Sequence, residues 1–172
     1  MPVEDGPMRE PLEPNPMTAP VAPPLITFLS ELDRHEVDAG QWTDRFLTLG
    51  GRLRAIYGDD VSLAAAEACY VVRVRGVQVA LACDEASGDG VWVTTRAGAW
   101  AGCRADAAEP LLLAVDGVAH AVEFAIHDAT AWFAYELPFS GSHGPQLRRA
   151  VIAVARAMTC WSGRVGMRSS GA

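Results

Sequence analysis

The stretch CYVVRVRGVQVALACDEASGDGVWVTTRAG, residues 69–98, decides the fold. Tyr70, Val72 and Val74 alternate with Val71, Arg73 and Arg75. Val77, Val79, Leu81 and Cys83 then alternate with Gln78, Ala80, Ala82 and Asp84. A two-residue period puts each set on its own face of a strand. Gly76 turns the chain between the two runs, and EASGDG (residues 85–90) carries hairpin-turn chemistry. Val91 to Arg96 supplies a third arm, so residues 69–96 read as an antiparallel three-stranded meander. A further short strand is compatible with Val61 to Ala65.

On the N-terminal side the period changes to that of a helix. Trp42, Phe46, Leu49, Leu53 and Ile56 form one apolar stripe, ended by Gly58. Asp38 followed by Gln41 resembles a capping box at its start. Gly50 and Gly51 weaken the middle and point to a kink or a close approach. Before it, PLITFLSELDRHE (residues 24–36) has the pattern of a short amphipathic helix. Residues 1–24 hold eight of the eleven prolines, together with acidic residues, and read as a disordered or extended arm.

On the C-terminal side, Pro110 is expected to open a short helix through Leu111, Leu112, Leu113 and Val115, with Gly117 ending it. Val122, Phe124 and Ile126 alternate with Glu123, Ala125 and His127. Asp128-Ala129 is a turn, and Trp132 to Leu137 forms the second arm of a hairpin that Pro138 stops. Ser140 or Ser142 is expected to cap a final helix with Pro145 in its first turn. Its stripe is Leu147, Val151, Val154, Met158 and Trp161. The expected class is α+β: an antiparallel sheet, built of a three-strand meander plus a two-strand hairpin, with helices packed on it. One domain is expected over residues 25–162, with a flexible tail over 163–172.

The 172 residues carry a formal net charge of -7, which disfavours a nucleic-acid partner. Half of the chain is hydrophobic, enough for a sizeable core at this length. All 14 basic residues are arginine. The start, MPVEDGPMREPLEPNPM, has neither a basic region nor an apolar run of the secretory kind. No apolar run approaches the roughly 20 residues a membrane helix needs. A cytoplasmic location without membrane insertion is therefore expected. The four cysteines, Cys69, Cys83, Cys103 and Cys160, are widely spaced and read as buried thiols.

Catalytic patterns are weak. Ser140, Ser142 and His143 in FSGSHG do not form a nucleophile elbow, and helix capping accounts for the serines. His120 and His127 would face opposite sides of a strand, which leaves Glu123 and His127 as two candidate metal ligands, too few for a site. No phosphate-loop lysine exists. No catalytic residue, cofactor or metal is expected, and a binding role is favoured over an enzyme.

The order of elements from Gln41 to Trp161 resembles the class I type III secretion chaperones. Three stretches carry the resemblance: RLRAIYGDDVSLAAAEACYVVRVRGVQVALACDEASGDGVWVTTRAG, EPLLLAVDGVAHAVEFAIHDATAWFAYELPF and PQLRRAVIAVARAMTCW. YbjN-like accessory domains share this order and are the alternative. The resemblance implies a cytosolic homodimer that binds an unfolded stretch of a secreted protein. It would hold that client export-competent and present it to the export apparatus, with the export ATPase or a sorting platform as a further partner. It also implies a dimer interface on the middle helix, at Leu111, Leu112, Leu113, Val115 and Val118. The break at Gly117 and the extra residues 1–36 depart from that pattern. Trp92 lies on the strand face opposite Val91 and Val93. With those two in the core, Trp92 is exposed and suits a client groove, unless helices cover that side.

Overall fold

The computed structural model describes residue 28 and residues 43–84, 89–99, 111–115 and 117–168. Among the described residues, seven strands make one sheet in the order β1-β2-β3-β4-β7-β6-β5, and every neighbouring pair is antiparallel. The strands are β1 (Val61–Ala64), β2 (Cys69–Val74), β3 (Val77–Asp84), β4 (Gly90–Ala99), β5 (Leu111–Val115), β6 (Val118–His127) and β7 (Thr130–Pro138). Two helices among the described residues, α1 (Asp44–Tyr57) and α2 (Gly144–Arg168), pack on the sheet. The α+β class and the antiparallel sheet expected from the alternation are present.

Both meanders are closed by tight turns whose chemistry fits. Arg75 and Gly76 have φ of 53° and 80°, and Asp128 and Ala129 have 46° and 55°. Two consecutive positive φ values give the turn whose twist matches antiparallel strands. The two meanders meet at the β4–β7 pairing, which runs from Gly90↔Pro138 to Ala99↔Thr130.

The middle helix expected at Leu111, Leu112, Leu113 and Val115 is not formed: this stretch is the strand β5, paired with β6 from Leu111↔Val122 to Val115↔Val118. A five-residue apolar run has no period to separate helix from buried strand. Pairing with β6 decides it, and Gly117, at φ 75°, lies in the turn between the two strands instead of stopping a helix. Val118, the fifth residue of the expected interface, opens β6.

The helices follow their stripes. In α1, Phe46, Leu49 and Leu53 are buried, and each such side chain contributes about 1.5–3 kcal/mol by leaving water. The N-cap is Thr43, whose hydroxyl accepts from Phe46 N at 3.2 Å. Asp38 and Gln41, the expected capping box, lie outside the described residues. Gly50 faces the sheet, where a Cβ would fall 2.9 Å from Tyr70 Cε1 and closer still to its Cζ and hydroxyl. Tyr70 in turn stacks on Phe46, with ring centroids 4.4 Å apart. Helix α2 buries Leu147, Ala150, Val151, Ala153, Val154, Ala155 and Ala157. Its many alanines let it lie close to β2 through β7. The helix runs to Arg168, past the point where a loose tail was expected.

Ser142 does not cap α2 but anchors the turn before it. Its hydroxyl donates to Phe139 O at 2.6 Å, and the side chain is fully buried. Arg52 of α1 reaches across, donating to Phe139 O at 3.0 Å, to Ser142 O at 3.1 Å and to Ser142 Oγ. The same guanidinium lies 4.6 Å from the Phe139 ring centre. One arginine therefore ties α1 to the β7–α2 connection. The sheet face under the helices carries the main core, from Tyr70 and Val72 through Leu81, Val93 and Phe133 to Val122.

Candidate functional site

The face turned away from the helices has its own apolar floor. Strand register places Val71 beside Ala80, Ala80 beside Thr94, Ala82 beside Trp92, and Trp132 beside Ala125 on this side. Cys69, Ala82, Trp92 and Ala134 are buried there, with Ala64, Val71, Ala80, Ala125 and Trp132 half-buried around them. The residues are mostly small, so the floor is shallow and flat. A groove of about 990 Å³ runs over Cys69, Val71, Ala80, Ala82, Thr94 and Trp132. It continues past the β2–β3 turn at Arg75 and Gly76 to Met158 and Ser162 of α2.

Trp92, expected to stand exposed, is only 1% accessible. The helices α1 and α2 lie on the other face and do not cover it, but Phe28, itself in helical conformation, does. Phe28, from the segment ahead of α1, stacks on its indole with centroids 5.5 Å apart and an interplanar angle of 25°. Phe28 is itself 4% exposed. The rest of the expected amphipathic helix at residues 24–36 lies outside the described residues, as does the arm over 1–24.

The second face of the sheet has a charge pattern along the strands that extends beyond the residues lining the groove. At one end Trp92 Nε1 donates to Asp84 Oδ2 over a long 3.4 Å. Glu136 sits opposite Trp92 on β7, and Glu123 one strand further, opposite Ala134. Burial first, then Asp84 and Glu123, raise the Glu136 carboxyl above its usual range. At the other end Arg96 lies 5.0 Å from the centre of the Trp132 ring, a cation–π contact. The Cys69 thiol in the floor is pushed up to about 11, by burial and then by Glu67, so it is an apolar surface and a poor nucleophile.

The polar residues singled out from sequence are not brought together. Ser142 is committed to Phe139 and Arg52. His120 sits edge-on to Tyr135 at 5.5 Å, whereas His127 pairs with Asp128 at 3.4 Å on the next turn. Among the described residues, no three His, Cys, Asp or Glu side chains cluster as metal ligands. No helix among them is long and apolar enough to cross a membrane.

Apart from Trp92, the floor residues were not singled out from sequence, although the signal was there. In VQVALACD the large residues Val77, Val79 and Leu81 alternate with small apolar Ala80 and Ala82 instead of charged ones. A strand with one large-apolar face and one small-apolar face has two dry sides, and the second side needs an occupant.

No protein-family model matches the chain, and no curated protein matches it.

Proposed function

We propose that this protein is a chaperone-like binding module that holds an extended segment of a secreted client on the second face of its sheet. The observation that carries this reading is the groove itself: an apolar floor of small residues on the side of the sheet away from the helices. A client strand or loop laid on alanines can seat its large side chains between them, and Trp132 at one end supplies an anchoring contact. In the fuller form of this reading, a cytoplasmic homodimer keeps the client export-competent and delivers it to a type III export ATPase or sorting platform.

The test is co-expression with secreted proteins encoded beside this chain, followed by purification and direct titration. The expected result is a stoichiometric complex that survives purification. Ala80→Glu and Ala125→Glu, which put carboxylates into the floor, are expected to weaken it by about tenfold or more through an unpaired buried charge. A folded variant that holds the client as tightly as the parent chain places binding elsewhere. A parent chain that retains none of these clients removes the reading.

The homodimer belongs to β5. This strand ends the sheet, and among the described residues β6 is its one strand neighbour. An apolar edge strand is a template for a second copy, and antiparallel pairing of β5 with β5 satisfies a two-fold axis. In this arrangement Leu111, Leu112, Leu113 and Val115 lie at the seam as a strand, with Val118 just behind it. Leu112→Asp is expected to give monomers by light scattering. An unchanged dimer mass would move the seam away from β5.

A further inference from the structure

Phe28 reaches the second face from outside the sheet. Fourteen residues separate it from Thr43, and no strand pairing holds it where it lies. Its ring rests on Trp92 among Cys69, Ala82 and Ala134. The same spot is bordered by carboxylates. Glu136 is the cross-strand neighbour of Trp92, and Glu123 is the neighbour of Ala134. Neither Glu136 nor Glu123 forms an ion pair among the described residues. The raised Glu136 carboxyl reflects this: every influence on it, burial and the two acidic neighbours, disfavours its charge.

We propose that Trp92 is the floor of an aromatic-anchor subsite, filled in cis by Phe28, which a client takes over with its own Phe, Tyr or Trp while an adjacent Arg or Lys settles against Glu136 and Glu123. The inference rests on the groove reading and gives its occupant a chemistry. An aromatic ring is the right shape because a stacked ring is what the subsite already holds. A cation is the right neighbour because the carboxylates of Glu136 and Glu123, without an ion pair among the described residues, lie on the same sheet face as the stack, on a chain of net charge -7. The arrangement also sets the strength of binding. A client competes with Phe28, so its apparent affinity is reduced by the fraction of chains in which Phe28 is seated. The unloaded protein thereby keeps Trp92 covered and releases it only to a segment that replaces the contact.

The test uses the full-length chain with 5-fluorotryptophan at its tryptophans, the Trp92 signal being assigned with Trp92→Phe. Three labelled 12-residue peptides of one scaffold serve as probes, with Arg-Phe, Glu-Phe or Arg-Ala at the centre. The Arg-Phe peptide is expected to shift the Trp92 fluorine resonance, and the Arg-Ala peptide to leave it in place. By fluorescence anisotropy, Phe28→Ala is expected to bind the Arg-Phe peptide about tenfold tighter than the parent chain. Phe28→Leu, which keeps the subsite filled, should stay near the parent value. Glu123→Gln with Glu136→Gln should lose the preference for Arg-Phe over Glu-Phe. A Trp92 resonance unmoved at saturating Arg-Phe peptide overturns the proposal, whether or not Phe28→Ala folds. So does a folded Phe28→Ala chain with no gain for any peptide, since Phe28 is then a fixed core residue. A chain that retains its secreted client with Trp92 unmoved loses this inference and keeps the groove. Loss of both the client and the shift removes both.

Discussion

Gly50→Ala is expected to lower the unfolding free energy by about 1–3 kcal/mol, whereas Gly51→Ala raises it by about 0.5–1 kcal/mol. The two glycines are adjacent in α1, and both lose the same backbone freedom when the helix forms. They differ in what they face. A methyl group on Gly50 would run into the phenol of Tyr70, a ring that cannot swing away because it is 3% exposed and stacked on Phe46. Either the helix lifts from the sheet or the stack breaks, and both forfeit close packing. Nothing lies within 4 Å of a Cβ on Gly51, so alanine there contributes only its better helix propensity. Urea midpoints of the two variants should move in opposite directions. Movement in the same direction would mean that Tyr70 is not seated against Gly50. The double variant Gly50→Ala/Tyr70→Leu should be less destabilised than the sum of its parts, because the clash is shared.

Arg52→Ala is expected to cost about 2–3 kcal/mol, the range for hydrogen bonds made by a charged donor. Its guanidinium serves three acceptors on the Phe139–Ser142 turn and stacks on the Phe139 ring. Phe139 N also donates to Asp89 O at 2.6 Å, so the same turn is tied to the start of β4. Losing Arg52 therefore loosens α1, β4 and α2 at one point. Arg52→Lys should recover less than half of the loss, since an ammonium group has neither the fork geometry nor the flat face that stacks. Thermal unfolding of the two variants would check this, and equal stability of Arg52→Lys and the parent chain would show that charge alone suffices.

The meander from Cys69 to Arg96 was legible because its alternation is strict and its turns are short. The α1 stripe was legible for the same kind of reason: Phe46, Leu49 and Leu53 repeat at helical spacing and lie in the core. Leu111–Val115 was not, because five apolar residues in a row fit a buried helix turn or a strand equally well. Tertiary pairing with Val118–Val122 decides it. The candidate site was half legible. Alternation put Trp92 on the face opposite Val91 and Val93, which is where it lies. It could not say that Phe28, 64 positions earlier in the chain, would cover it, since the contact depends on two segments meeting in space. The alanine floor escaped notice because small residues give no hydrophobic peak, and their meaning emerges only once the strands are side by side.

The strand order has a consequence for how the chain folds. β1 to β4 form a run of neighbours in sequence, as do β5 to β7, so each half can assemble from short loop closures. The seam between them, Gly90↔Pro138 to Ala99↔Thr130, closes the longest loop in the sheet and gains no local contact until both halves exist. Helix α2 follows β7 in the chain and lies across strands of both halves. It cannot bury its alanine face until the seam has closed. The slow step of folding is therefore expected at the β4–β7 seam, with α2 as the clasp that joins the two strand runs into one cooperative unit.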